Sequence, residues 1–319
     1  MKKIVAVLAC LCLFFCAACS ASPAGAELYH EGKEVKVDTI LTIDGFPVSL
    51  DLYRYYFKTL QYQIDGGNDT YWMTNPGAED TLKTETLTAL RAYVTLLRVA
   101  EQKGITLDEA DRASIAQSKK NAEAEYASHA EYVKAMERLC ITDEVYNCLL
   151  EQAALRDKLE EVSLKEGGDY YVSDEEFAEI WEAGFLGVKQ ICVDNQTIAA
   201  AAANRLKKDG DIDDLIRRYM GEDASTEPMY FGPGYMVDNY ERAVRDTHIG
   251  APGGPIKTNY GYHVFLRIPL DPAYFEEHKA ELKQDYMTKS LAAALAEQGL
   301  NYTLETAPEY EYVSTQTLV

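Results

Sequence analysis

Val188-Lys189-Gln190-Ile191-Cys192-Val193 and His263-Val264-Phe265-Leu266-Arg267-Ile268 bracket the stretch whose reading decides the fold. Both runs are short, rich in β-branched and aromatic residues and bounded by turn formers, so each is expected to be a strand. Between them the period changes. Thr197 to Lys208 is an Ala-rich helix ended by Gly210, and Ile212 to Tyr219 is a shorter one. Gly232-Pro233-Gly234 is a loop before a helix near Asp238 to Asp246, and Gly250 to Gly254 reads as a turn. Strand, two helices, a third helix and a closing strand in one short span predict a compact α+β domain.

Several segments inside this span carry a more specific pattern. Leu206-Lys207-Lys208-Asp209-Gly210-Asp211-Ile212 closes the first helix, and Tyr219-Met220-Gly221-Glu222-Asp223 is an acidic segment behind the second. Tyr230-Phe231-Gly232-Pro233-Gly234-Tyr235-Met236-Val237 leads into Tyr240-Glu241-Arg242-Ala243, and Pro255-Ile256-Lys257-Thr258-Asn259-Tyr260-Gly261-Tyr262-His263-Val264 closes the series. In this order the segments resemble the parvulin family of peptidyl-prolyl isomerases. The resemblance implies a pocket for a proline ring made by Phe231, Met236 and Tyr240. It also implies Asp223 near the substrate carbonyl, with His263 and Thr258 in the polar network behind it.

Two positions depart from the family pattern. Gln190 stands where the family commonly has a histidine paired with the one near the C-terminus, here His263. Gln still donates and accepts hydrogen bonds, so a network is possible without paired imidazoles. Tyr240 replaces a more common Phe and brings a hydroxyl. A slip of one position would make Glu222 the acidic residue instead of Asp223. The plainer readings are a satisfied core histidine at His263 and a solvated loop carboxylate at Asp223. Rotating an X–Pro amide needs no covalent step, metal or cofactor; it needs an apolar grip on the ring and polar groups that favour the twisted amide.

Outward from this domain the chain is helical. Thr39-Ile40-Leu41-Thr42-Ile43 and Phe46-Pro47-Val48-Ser49-Leu50 flank Asp44-Gly45, a strong hairpin signal. Leu52, Tyr56, Leu60 and Ile64 keep helical spacing, as do Leu82, Leu87, Leu90, Val94 and Leu97 up to a stop near Gly104. A third, polar helix is expected from about Leu107 to Met136, and a fourth from Thr142 to Lys165. Ser173-Asp174-Glu175-Glu176 is a capping box opening a helix through Trp181, and Tyr274 to Gln298 is helical after Pro269 and Pro272. The stripes read as core; any of the 23 tyrosines left exposed could bind unfolded segments. The layout is similar to secreted foldases of the PrsA/SurA type. It implies a helical chaperone domain from the N- and C-terminal parts, with the parvulin-like domain inserted.

At the N-terminus Lys2 and Lys3 precede an uncharged apolar run, Ile4 to Ala18, too short to span a bilayer and proportioned like a signal-peptide core. It ends Cys16-Ala17-Ala18-Cys19, which resembles a bacterial lipobox with Cys19 as the lipidated residue, although Cys16 replaces the usual Leu. An ordinary secretory signal cut near Ala24-Gly25-Ala26 is the alternative. The expected domains are then a signal peptide at 1–18, a lipidated tether at 19–36 and a helical chaperone part at 37–182. A parvulin-like domain at 183–269 and a C-terminal helical part at 270–319 complete them.

Cys140 and Cys148, taken as lying on one helix, are too far apart for a disulfide, and with Cys192 they read as small buried apolar residues. A formal net charge of -21 argues against nucleic acid and anionic membrane surfaces as partners. The expected protein is a foldase on the outer face of a bacterial cytoplasmic membrane that isomerises X–Pro bonds in unfolded exported chains. The alternative is a holding chaperone with a degenerate parvulin domain. Client identity and oligomeric state stay open.

Overall fold

A computed structural model describes residues 22–319 apart from 69, 76 and 209. Cys19 and the signal stretch 1–18 lie outside the described residues. Two compact units are present: one from the chain up to Asp157 together with Ala296–Val319, the other from Lys158–Leu295. Among the described residues no helix is long and apolar enough to cross a membrane.

The first unit begins with a hairpin, β1 (Leu28–His30) and β2 (Lys33–Val35), inside the stretch whose composition reads as a tether. Leu28 is fully buried, and the N–H groups of Glu27 and Tyr29 donate to the Val319 and Thr317 carbonyls. The small polar residues therefore pair with the C-terminus and are part of the fold. Next come β3 (Thr39–Ile43) and β4 (Phe46–Ser49), joined by Asp44 and Gly45 at φ 48° and 72°. Two left-handed residues in a row give the hairpin its twist-matched turn.

Ser49 caps α1 (Leu50–Asp65) by accepting from the Leu52 N–H at 3.2 Å, and Gly66 at φ 60° ends it. α2 (Tyr71–Thr74) is one turn; α3 (Ala78–Gln102) is long and ends at Lys103, followed by Gly104 at φ 68°. The expected third helix is two, α4 (Glu109–Ala124) and α5 (His129–Arg138). Ser128 breaks it, because its hydroxyl accepts from the Glu131 N–H and starts a new helix.

Cys140 lies in the following turn at φ 56°, while Cys148 lies in α6 (Asp143–Leu164), so the two do not share a helix. Both are half-buried free thiols, as is Cys192. Thr39–Ile43 gains a third strand from the far end of the chain, β9 (Leu304–Thr306), giving a sheet of order β4-β3-β9. Arg54, 6% exposed, gathers the chain ends by donating to the carbonyls of Ala24, Gly25 and Val319.

The second unit holds α7 (Asp174–Gly184), β5 (Leu186–Val193), α8 (Gln196–Lys208), α9 (Ile212–Met220), β6 (Met229–Phe231), α10 (Asp238–Asp246), β7 (Pro252–Thr258) and β8 (Gly261–Ile268). Most of α11 (Pro272–Leu300) belongs to it as well. The reciprocal capping box of Ser173 and Glu176 is present. Its sheet is antiparallel with order β6-β5-β8-β7. The stretch Gly250–Gly254, read as a turn, is half strand: β7 starts at Pro252, with a bulge between Gly253 and Ile256. Gly253 is required there, since a Cβ would lie 2.2 Å from the Phe265 ring.

This unit is larger than the 183–269 stretch. Phe177, Trp181 and Phe185 pack with Phe275 of α11, and Tyr230, Tyr235, Tyr274 and Tyr286 surround them. The mixed architecture agrees with the α+β class.

Candidate active site

Strand periodicity positions the site. Side chains alternate along a strand, so Gln190 and Cys192 share a face of β5 with Leu186 and Val188, and Lys189, Ile191 and Val193 face the other way. On β8, His263, Phe265 and Arg267 share one face and Tyr262, Val264 and Leu266 the other. Ile191 and Val264 pack with Ala199, Ala202 and Ala203 of α8 and with Ile212, Leu215 and Ile216 of α9. Leu186, Val188 and Phe265 pack with Phe231 and with Tyr240 and Val244 of α10.

Arg267 fixes α10 from the same face by donating to the carbonyls of Val244, Arg245 and Thr247 at the helix end, where Val244 also accepts from the Thr247 N–H. Register pairs Cys192 with His263 and Gln190 with Phe265, which leaves Gln190 diagonal to His263 on one face.

That diagonal pair opens a hydrogen-bond ladder. The amide oxygen of Gln190 lies 3.1 Å from His263 Nδ1 and can only accept, so Nδ1 carries the proton. On the other side of the ring the Thr258 hydroxyl is 2.7 Å from Nε2 and itself accepts from the Tyr260 N–H at 3.0 Å. Burial holds the His263 pKa below the usual imidazole value, which keeps the ring neutral and leaves Nε2 an acceptor for Thr258. Gln190 sets one tautomer, where a histidine partner could support either.

The Cys192 thiol lies 3.7 Å from the same Nε2 and 3.4 Å from the Tyr260 carbonyl. Burial, and then the neighbouring Asp194, push its pKa up, so it stays an S–H donor.

A cavity of about 300 Å³ opens over this ladder, lined by Gln190, Thr258, Tyr260 and His263 on the sheet side. Met236, Val237 and Tyr240, with Tyr235, line it on the helix side. Met236 lies before α10, and Val237 is the residue that caps it. Asn239 ties the two walls by donating to the Lys257 carbonyl at 2.7 Å. Tyr240 is 2% exposed, its ring 4.9 Å from that of His263, 5.6 Å from Phe265 and 6.2 Å from Phe231. Its hydroxyl is buried without a hydrogen-bond partner, and burial pushes the phenol pKa up. Cavity and ladder together can seat a small apolar ring against a neutral, hydrogen-bonded polar floor.

Five of the seven residues expected at the site, Gln190, His263, Thr258, Met236 and Tyr240, line this one cavity. Phe231 is 1% exposed and supports Tyr240 from beneath instead of lining the opening. Asp223 is exposed, in the turn after α9, and is not among the lining residues; Glu222 lines a different surface groove with Arg205, Arg217 and Arg218.

Cys192 and Tyr260 join the site beyond the residues that the family resemblance implies. Cys192 could have been found from its spacing, two residues beyond Gln190 on a strand. Most tyrosines serve the cores, and those left exposed among the described residues are Tyr62, Tyr126, Tyr171 and Tyr260. Among the described residues no group of three or more His, Cys, Asp or Glu is arranged to hold a metal ion.

No protein-family model matches the chain. Curated relatives do. The chain is 24% identical over 261 residues to the foldase protein PrsA of Caldanaerobacter subterraneus, covering 78% of this chain and 79% of that one. It is 25% identical over 149 residues to the foldase protein PrsA of Bacillus subtilis, covering 45% of this chain and 47% of the relative. The matched stretch thus spans about half the length of the Bacillus subtilis protein. Among solved structures, the peptidylprolyl isomerase PrsA from Bacillus anthracis covers 66% of this chain and 93% of its own at 16% identity, with a TM-score of 0.36. The expected resemblance to PrsA-type foldases is borne out by the sequence relatives.

Proposed function

We propose that the chain is an extracytoplasmic foldase, which isomerises X–Pro bonds in exported proteins and shelters them while unfolded. It is tethered through Cys19 to the outer face of a bacterial cytoplasmic membrane. The observation that carries the enzymatic part is the neutral Gln190–His263–Thr258 ladder forming the floor of an apolar cavity walled by Met236 and Tyr240. The relatives named foldase protein PrsA support the same reading.

The chemistry follows from the amide itself. Its planar form owes about 18–20 kcal/mol of rotational barrier to resonance that moves charge from nitrogen to oxygen. Water stabilises that charge separation, and a low-dielectric cavity withdraws the stabilisation, so the twisted amide becomes relatively cheaper. A proline ring held against Met236 and Tyr240 fixes one side of the bond while the preceding residue rotates. His263 and Thr258 are spent within the ladder and the Gln190 amide N–H points at the Met229 sulfur, so the ladder's part is to hold a rigid, uncharged floor. No step requires a covalent intermediate, a metal or a cofactor.

Protease-free proline-isomerisation kinetics on the mature chain test this, with Met236→Ala expected to lower kcat/KM by at least tenfold. Rates equal to buffer for the unsubstituted chain would sink the enzymatic reading. The exposed position of Asp223 favours a second reading, a holding chaperone with a degenerate pocket. Refolding assistance that survives both Met236→Ala and Asp223→Ala would support it. The tether rests on the lipobox-like residues before Cys19, and the intact mass of the mature protein checks it: an unlipidated N-terminus beyond Cys19 rules it out.

A further inference from the structure

We infer that Tyr260 is a specificity-determining residue, selecting substrates with an aromatic or large apolar side chain beside the proline. The inference rests on the isomerase reading and concerns the mouth of the same cavity. Tyr260 sits in the turn between β7 and β8, lines the cavity and is nevertheless 76% exposed. Exposed turn residues are ordinarily polar, and a large ring in water is unfavourable unless something covers it. Across the mouth Val237 is 39% exposed, so apolar surface rims the cavity on both walls.

The ring's backbone is unusually well held for a turn tip. Its N–H donates to the Thr258 hydroxyl at 3.0 Å, and its carbonyl accepts from the Cys192 thiol at 3.4 Å. The Asn239 side chain anchors the strand just before the turn by donating to the Lys257 carbonyl. These contacts also account for a half-buried thiol that the isomerisation chemistry does not use. With the backbone held, only the ring's own two torsions are fixed when a substrate covers it, so more of the contact appears as affinity.

The cation at the turn is already engaged: the Lys257 ammonium lies 4.5 Å from the centre of the Tyr262 ring. Selection at this rim therefore works through apolar contact, in which the side chain flanking the proline lies on Tyr260 and reaches Val237.

The test is a peptide series in which the residue before and the residue after proline are each varied among Phe, Leu, Ala and Glu. The unsubstituted chain, Tyr260→Ser and Tyr260→Phe are compared, with thermal melts to check folding. The unsubstituted chain is expected to favour Phe or Leu over Ala by about three- to tenfold in kcat/KM at one of the two positions, the range aromatic contacts supply. Tyr260→Ser flattens that ratio and Tyr260→Phe keeps it. A flat ratio in the unsubstituted chain, or an equal slowing of every peptide in Tyr260→Ser, overturns the inference. If no peptide is accelerated, the isomerase reading fails. Fluorescence-anisotropy affinities for the same peptides then decide Tyr260 separately, a kept preference supporting the inference and a flat one or no binding refuting it.

Discussion

Gln190→Glu tests the site at its most informative contact. A carboxylate oxygen in place of the amide oxygen would lie about where that atom does, 3.1 Å from His263 Nδ1. An opposite charge so close raises an imidazole pKa by roughly 1–3 units, and solvent screening at a half-buried site favours the lower part, about 1–2 units. That corresponds to about 1.4–2.7 kcal/mol in favour of the imidazolium.

The unsubstituted chain has His263 lowered from 6.5 by burial. Its folded state therefore disfavours protonation: stability is full above about pH 6.5 and declines as pH falls from there through the folded value. In Gln190→Glu the carboxylate raises the folded value, so the variant loses less stability on acidification than the unsubstituted chain; this gain is fully present at low pH and is lost as pH rises through the raised value. Proton NMR titration of the histidine ring protons reads this directly. The chain has five histidines, and His263→Asn assigns the resonance. Urea midpoints across the same pH range give the stability side. A His263 midpoint no higher in the variant than in the unsubstituted chain would refute the Gln190–His263 contact and the ladder with it.

Three further substitutions probe the surroundings. Tyr240→Phe removes a buried hydroxyl that has no partner, so folding stability should hold or rise by about 1 kcal/mol; a loss larger than that in urea unfolding would mean the hydroxyl is bonded. Arg54→Ala strands the carbonyls of Ala24 and Gly25, while Val319 keeps its bond from the Glu27 N–H, and should cost about 2 kcal/mol, read as a lowered denaturant midpoint. Gly253→Ala places a methyl 2.2 Å from the fully buried Phe265 ring, and the forced shift should cost about 2–3 kcal/mol and lower the melting temperature; an unchanged melt would contradict the close packing of β7 on β8.

Much of this molecule could be read from residues near one another in the chain. The Asp44-Gly45 hairpin, the Ser173/Glu176 capping box and the helices around Leu52, Leu90 and Thr197 each depend on local turns, caps and periods. Where a local rule has a competitor, the sequence is less legible: α4 stops at Ala124 and Ser128 caps a new helix inside a polar stretch that marks neither event. Leu28 to Val35 lacks an apolar alternation because β2 pairs only with β1, while β1 is completed by residues 317–319 at the other end of the chain.

Composition, the ordered segments from Val188 to Val264 and the alternation along β5 and β8 establish by themselves an α+β domain with Gln190 and His263 on one strand face each. They do not establish that the two side chains meet. The Gln190–His263 contact joins residues 73 apart in sequence, and it exists because the β5–β8 register sets them on one diagonal. The same register brings Cys192 beside His263. Side-chain period is a property of a strand alone, whereas register is decided by the packing of α8, α9 and α10 on the two sheet faces, which no single segment encodes.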